Sequence, residues 1–497
     1  MKTLAKESFD AIVVGAGPVG LLTAVELTLA GAHVLVLERL ASPSMVTKAL
    51  GIGPLGGEAL QRRGMGAALA AAEERMLAER ARHAEKQAKM IPGRPKMGGH
   101  FAGLSMIRAD LQPEPERRPR LVAQQAIEAM LAERVHALDI EVRREVEVTG
   151  FTERADGISV DWTSPSGAGQ TQAAYLVGCD GGRSAIRKMA GFDFPGVDPT
   201  MTMYNTVVEI DRPDLLPPPG WHCTPGGVYA YGFMPKRLIM LDFSGPPADR
   251  TAPVLREEVE SVLRHISGKD VRVTEIGEAS KWADNTRLVD TYRRGRVLLA
   301  GDAAHIHSPF GGQGLSLGLV DAANLGWKLA AVIRGTMPEG LLDTYTAERR
   351  PVAEAVLANT LAQAALMRPD AQSGAIRNIF ASLLQFDDAN RFIGQMTSGL
   401  NTRYEFGSDR DAVGRLIGDR TVGEETLYGL MREGMGVLLD ASGGKAAELV
   451  APGMQLRCIH VDTGPSLLIR PDACIAWAAD DGDLQGLDAA LQAWFTS

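Results

Sequence analysis

Between two apolar runs, FDAIVV and AHVLVLE, stand a glycine-rich turn, Gly15-Ala16-Gly17-Pro18-Val19-Gly20, and the segment LLTAVELTLAG, whose apolar residues recur at helical spacing. Strand, turn, helix and strand in this order make a βαβ unit, which a chain closes only by laying its two strands parallel. Such alternation favours a parallel sheet covered by helices on both faces. The expected fold class is therefore α/β, with a doubly wound core.

Each glycine in the turn has its own geometric task. Gly15 permits the tight turn, Gly17 lets the backbone approach a pyrophosphate, and Gly20 lets helix and strand pack closely. Pro18 and Val19 open the helix, whose N-terminus supplies N–H groups and partial positive charge. Glu38 ends the second strand 18 residues after Gly20, where a carboxylate can accept hydrogen bonds from a ribose diol, and Arg39 follows it. This Rossmann-like pattern fits an adenine dinucleotide, with FAD and NAD equally allowed.

Two further blocks lie at strand ends. Cys179-Asp180-Gly181-Gly182-Arg183-Ser184 precedes the helical AIRKMAG, and its Asp-Gly step reads equally as a capped turn and as a cofactor crevice. Arg296 to Ala330 holds a buried strand ending in Gly301-Asp302, a loop with Pro309, Gly311, Gly312 and Gly314, and then a long helix. A flat ring on that loop would meet backbone N–H groups able to stabilise negative charge, and Asp302 could bond a polyol arm.

The chain has 497 residues, 45% apolar and 23% charged, enough for about three globular domains. Phe194 to Trp282 reads as mainly antiparallel strands with one helix, APVLREEVESVLRHI, and residues from about Phe406 onward as a smaller third domain. Gly66 to Lys89 reads as a charge-laced surface helix, and Gln112 to Arg120 as a solvated loop. The net charge of −9 argues against nucleic acid. The most apolar stretch, Ala11 to Val25, is too short and glycine-rich to span a membrane, and the first ten residues lack the apolar run of a signal peptide. A cytoplasmic protein is expected, and its four scattered cysteines suggest neither zinc nor disulfides.

Taken together, the three blocks resemble those of the class A FAD-dependent aromatic hydroxylases, which are flavoprotein monooxygenases. GHFAGL at 99–104, the GGQG loop, DAANLGWKLA and LLIRPDACIAW are similar to the branch acting on phenols, hydroxyphenylpropionate and aromatic polyketides. The resemblance implies a discontinuous FAD-binding domain (1–75, 108–190 and 283–395), an inserted antiparallel substrate domain (76–107 and 191–282), and a thioredoxin-like domain without redox cysteines (400–497). It implies FAD contacts by Gly15, Gly17, Pro18, Val19, Gly20, Glu38, Arg39, Lys48, Gln124, Asp180, Gly301 and Asp302. Pro309, Gly312, Gly314 and Leu315 are placed by it near the isoalloxazine ring, with Pro309, Gly314 and Leu315 as the catalytic set. Two departures stand out: Lys48 where Arg is common before Ala-Leu, and Ser316 where Asn is common after Gly-Leu.

The activity so implied is hydroxylation of a phenolic or polycyclic aromatic with NADPH or NADH and O2 through a flavin C4a-hydroperoxide. The partners are a small aromatic and O2, in a monomer or homodimer. Tyr229, Tyr231 and Phe233 alternate along one strand and are candidates to line the substrate pocket, although the same stripe would serve as core. Tyr231, His100 and Arg108 are the candidates for a base.

Other readings fit less well. Gly314-Leu315-Ser316-Leu317-Gly318 has the spacing of a nucleophile elbow but lacks a strand before the serine. Asp302, His305 and His307 lack a further ligand at metal spacing, so no metal is expected. The six tryptophans never stand two apart, which disfavours a flavin halogenase. A non-catalytic flavin-binding or partner-binding module would carry the same three blocks.

Overall fold

The computed structural model of the chain describes residues 8–44, 48–88, 97–232, 234–250, 252–480 and 482–495. Its central sheet places Ser8–Val14 between Val34–Glu38 and Gly167–Gly178, all parallel, with Glu141–Arg144 and Val297–Leu299 continuing the parallel order outward. Ile12, Val13, Leu35, Val36, Leu176 and Val177 are fully enclosed: the helix Pro18–Leu29 packs on Ser8–Val14 and Val34–Glu38, and the strand Glu147–Arg154 also contacts Val34–Glu38. The 12-residue strand Gly167–Gly178 serves two neighbours. Its second half pairs with Ser8–Val14, while its first half joins the antiparallel strands Gly157–Ser164 and Glu147–Arg154.

The helix Gly314–Ile333 packs on Pro18–Leu29 so closely that a Cβ on Gly326 would fall 2.3 Å from Glu26 Cβ. The segment Phe310–Ile333 is long and apolar enough to cross a membrane, which Ala11–Val25 is not. Its residues from Leu317 to Ala330 are buried, so the apolarity is that of a core helix enclosed by protein.

A second sheet is antiparallel throughout, in the order Gly220–Thr224, Gly227–Tyr231, Arg237–Asp242, Thr202–Ile210, Val273–Ala283. On one face lies the helix Arg256–Ser267, with Glu257 and Glu258 in its first turn and Gly268 left-handed at its end. Val259, Leu263 and Ile266 of this helix bury against Tyr204, Tyr229, Leu238 and Met240, at roughly 1.5–3 kcal/mol per side chain. The opposite face carries Met203, Val228 and Leu241 and turns toward Phe101, Phe310 and Met367.

The C-terminal region forms a mixed four-stranded sheet in the order Leu456–His460, Gly436–Asp440, Ser466–Ile469, Ile475–Ala479, packed by the helix Leu487–Phe495. It docks through buried charge. Arg470 bonds Glu348 and Asp472, and Arg63 bonds Glu26 together with the carbonyls of Met431 and Pro471.

The segment 112–120 is a loop with Pro113, Pro115, Glu116, Arg118 and Pro119 exposed, as its composition suggests. One residue departs from that picture: the Arg117 guanidinium is buried against both oxygens of Glu58, at 2.7 and 2.8 Å, and also bonds the Leu416 carbonyl. This tether is out of view in sequence because its partner, a helical glutamate, stands 59 residues away.

Candidate functional site

One continuous cavity of about 1590 Å³ runs from the Gly15–Val19 turn, past Asp180 and Asp302, to the Pro309–Leu317 loop and the inner face of the antiparallel sheet. Ligand pockets for a single small molecule usually hold about 300–1,000 Å³, so there is room for a dinucleotide and a second ligand together.

At the first end, Gly15 has φ +106° and no room for a side chain: a Cβ would lie 2.5 Å from the Cys179 carbonyl oxygen. Gly20 faces the same constraint, 1.9 Å from Gly15 O, whereas a Cβ on Gly17 would meet nothing within 4 Å on the cavity side. The helix beginning at Pro18 has no side-chain cap, so its first N–H groups remain free for an anion. Glu38 braces the turn, its two oxygens accepting from Ala16 N at 2.7 Å and Leu40 N at 2.8 Å. Each carboxylate oxygen retains a lone pair for a further donor. Arg39, Lys48 and Gln124 line the same end.

At the middle, Asp180 divides its two oxygens. Oδ2 caps the helix Ala185–Met189 by accepting from Ala185 N and Ile186 N at 2.6 and 3.2 Å, while Oδ1 is buried beside the cavity without a partner. The Asp-Gly block is thus a capped turn, and its second carboxylate oxygen is left without a partner at a residue lining the cavity. Burial pushes the neighbouring Cys179 thiol up to about 12, which leaves it a neutral packing group.

Asp302 lines the cavity, and the peptide before it is fixed from behind. Gly301 N donates to Asp321 Oδ2, and the same buried carboxylate accepts from His305 Nε2 and Arg349 Nε, each at 2.7 Å. Burial alone would raise the Asp321 carboxyl, but Arg349 and His305 outweigh it and hold the group below its usual range.

The far loop turns tightly, with Gly311 at φ +77° and Gly312 at φ +63°, and delivers the uncapped helix that starts at Gly314. Its free N–H groups face the cavity at Gly314 and Leu315. Beside them, His307 Nδ1 donates to Ser308 O at 2.7 Å, and burial lowers its pKa to about 4. Its Nε2 is therefore an unpaired acceptor, and Gln313 Nε2 an unpaired donor, in the cavity wall. Such orphaned buried atoms, together with glycines that a Cβ would obstruct, fit a ligand rich in N–H, carbonyl and phosphate groups.

The structure thus brings Gly15, Gly17, Pro18, Val19, Glu38, Arg39, Lys48, Gln124, Asp180, Asp302, Pro309, Gly312, Gly314 and Leu315 to one cavity, with Gly20 and Gly301 just behind its wall. It does not bring Tyr229 and Tyr231 there. The register pairs Tyr229 with Met240, and both side chains point to the face covered by the helix Arg256–Ser267. The intervening positions of the sheet face inward instead: Met203, Asn205, Ile239, Leu241, Ser280 and Trp282 line the cavity. Phe233 lies outside the described residues. Arg108 is half exposed and paired with Asp110 and Asp387.

Ser316 is no nucleophile, because it lies within a helix and its Oγ accepts from Gly53 N at 2.7 Å. The buried pairing of Asp321 with His305 and Arg349 is not legible in the sequence, because the partners stand 16 to 28 residues apart on different elements.

The chain matches the family described as FAD binding domain over residues 8–360, and that described as aromatic-ring hydroxylase, C-terminal, over residues 411–497. A 12-dehydrotetracycline 5-monooxygenase/anhydrotetracycline 6-monooxygenase of Streptomyces rimosus is 38% identical, over 98% of this chain and 99% of that one. A rifampicin monooxygenase of Streptomyces venezuelae is 37% identical, over 98% of both chains. The solved anhydrotetracycline hydroxylase from Streptomyces rimosus superposes with a TM-score of 0.84 at 36% identity, covering 98% of this chain and 99% of that one.

Proposed function

The chain belongs to the FAD-dependent aromatic-ring hydroxylases, and from that premise we propose that it hydroxylates a polycyclic phenol of the aromatic-polyketide type, using NADPH or NADH and O2. The observation that carries this reading is the single cavity joining the dinucleotide turn at Gly15 to the apolar inner face of the antiparallel sheet. FAD, when bound, would supply the redox chemistry of hydride acceptance and O2 activation.

The chain's own groups position and enclose. Gly15, Gly17 and the N-terminus of the helix at Pro18 hold the pyrophosphate, Glu38 the ribose, and Asp180 and Asp302 the polyol arm. Pro309, Gly312, Gly314 and Leu315 hold the ring edge, where free N–H groups stabilise negative charge. Met203, Ile239, Leu241 and Trp282 exclude water from the face opposite the glycine loop.

In this reading residues 1–75, 108–190 and 283–395 form the flavin-binding domain, and 76–107 with 191–282 the substrate domain. Residues 400–497 form a thioredoxin-like domain; its Cys458 and Cys474 are both unpaired. A cytoplasmic monomer or homodimer suits a soluble reductant and a small substrate.

Purified protein is expected to be yellow, and its NAD(P)H oxidation and oxygen uptake should rise with a polycyclic phenol such as anhydrotetracycline, yielding a hydroxylated product. Stimulation only by non-aromatic compounds would contradict the substrate class. Asp302→Ala is expected to weaken FAD about tenfold, the worth of one hydrogen bond to a charged group, and an unchanged FAD dissociation constant would remove Asp302 from the site.

A further inference from the structure

The hairpin Met97–Phe101/Leu104–Arg108 closes one side of the cavity and is held in place. Its turn residues Ala102 and Gly103 have φ +49° and +75°. Ala102 N donates to Gln363 Oε1 at 3.0 Å, and Gln363 Nε2 in turn donates to Asn359 Oδ1 at 3.2 Å, tying the turn to the helix Asp343–Met367. Phe101 and Ile107 bury in the same core as Phe310, the first residue of the glycine loop turn. Strand alternation then sends the neighbour of Phe101, His100, to the cavity side.

The His100 ring lies 5.0 Å from that of Trp221. Nδ1 is enclosed without a hydrogen-bond partner, which leaves Nε2 as the less enclosed ring nitrogen of a residue that lines the cavity. No charged group contributes to its pKa, which burial alone lowers to about 4, so the ring is neutral near pH 7 with one acceptor nitrogen.

The facing wall is mostly apolar, with Met203, Ile239, Leu241 and Trp282. Two of its polar atoms are already engaged: Asn205 Oδ1 accepts from Arg237 at 3.1 Å, and Ser280 Oγ donates to Asn205 O at 3.4 Å. A mostly apolar surface facing a ring acceptor is complementary to a fused aromatic ring carrying one outward hydroxyl.

We propose that His100 is a substrate-binding residue that selects hydroxylated polycyclic aromatics, its Nε2 accepting the hydrogen bond of a ring hydroxyl while Trp221 packs against the ring system. The inference rests on the flavin-monooxygenase reading of the cavity and names the group that orients its substrate. Accepting a hydrogen bond from the phenolic O–H places more electron density on the ring carbons ortho and para to that oxygen, the carbons an electrophilic oxygen donor attacks.

The test uses FAD-loaded protein and two probes, 2-hydroxyanthraquinone and its methyl ether 2-methoxyanthraquinone, titrated by quenching of tryptophan fluorescence. The wild type is expected to bind the hydroxylated probe about tenfold more tightly than the ether. His100→Phe keeps a ring beside Trp221 and should bind the two probes equally, losing affinity only for the first. His100→Gln, whose amide oxygen can accept, should recover part of the preference. Equal binding of both probes by the wild type, binding of neither, or a preference that survives in His100→Phe would each overturn the proposal. Failure of the flavin reading shows separately, as a protein that retains no FAD or does not oxidise NAD(P)H.

Discussion

Gly15→Val protein is expected to purify without colour. At φ +106° a β-branched residue is strained, and its Cβ would sit 2.5 Å from Cys179 O, 2.8 Å from Cys179 C and 3.1 Å from Asp180 Cα. All three atoms are backbone, so no rotamer change relieves the clash. Either the glycine turn or the strand end bearing Asp180 must move, and both face the cavity. Strain of about 3 kcal/mol, spent at the pyrophosphate site, is on the order of a hundredfold in FAD affinity. Gly17→Ala separates folding from binding: its methyl meets no protein atom within 4 Å, so the apoprotein should melt normally while FAD binds poorly. Visible absorbance per protein decides the matter, and a fully yellow Gly15→Val would contradict the placement of the pyrophosphate.

The second large effect is on stability. Arg470, fully buried, donates to both oxygens of Glu348 and to both of Asp472, and Lys328 Nζ lies 2.9 Å from Glu348. Two cations and two carboxylates thus balance within one enclosed cluster. Trp494 stacks at 4.4 Å over the guanidinium, with Trp327 and Phe406 at 5.3 Å. Burial opposes the charge on Glu348, and it stays ionised because Arg470 and Lys328 outweigh that cost. Arg470→Met would leave two carboxylates facing one lysine, a loss of about 3–5 kcal/mol. Arg410→Ala breaks the pair with Asp480, whose side chains are 45% and 66% exposed, and should cost no more than about 1 kcal/mol. Thermal denaturation of the two variants at saturating FAD checks the contrast, and a similar melting temperature for both would contradict the docking role of Arg470.

Local patterning carried the reading of the glycine-turn end of the cavity. Gly15, Gly17, Gly20 and Glu38 lie within 24 residues, so strand, turn and helix propensities state their geometry directly. Gly301 and Asp302 were legible for the same reason, as the end of an apolar strand before a glycine loop. The end formed by the antiparallel sheet was not. Tyr229 and Tyr231 alternate correctly, but which face of a sheet meets a helix and which meets a cavity depends on register with strands far along the chain. The buried charges were equally hidden: Arg63, Arg349 and Arg470 occur in stretches where an arginine ordinarily faces solvent, and Arg470 finds Glu348 across 122 residues. LLIRPDACIAW stood out only as a resemblance, and its Arg470 and Asp472 prove to lock the last region to the helix Asp343–Met367.

The most direct measurement of the central claim is isotopic. Turnover of an aromatic substrate under ¹⁸O2 in ordinary water, with the product examined by mass spectrometry, follows the fate of one oxygen atom. Flavin-dependent monooxygenation in this cavity predicts heavy oxygen in the new ring hydroxyl and none from labelled water in the reverse experiment. A product hydroxyl drawn from water would contradict it.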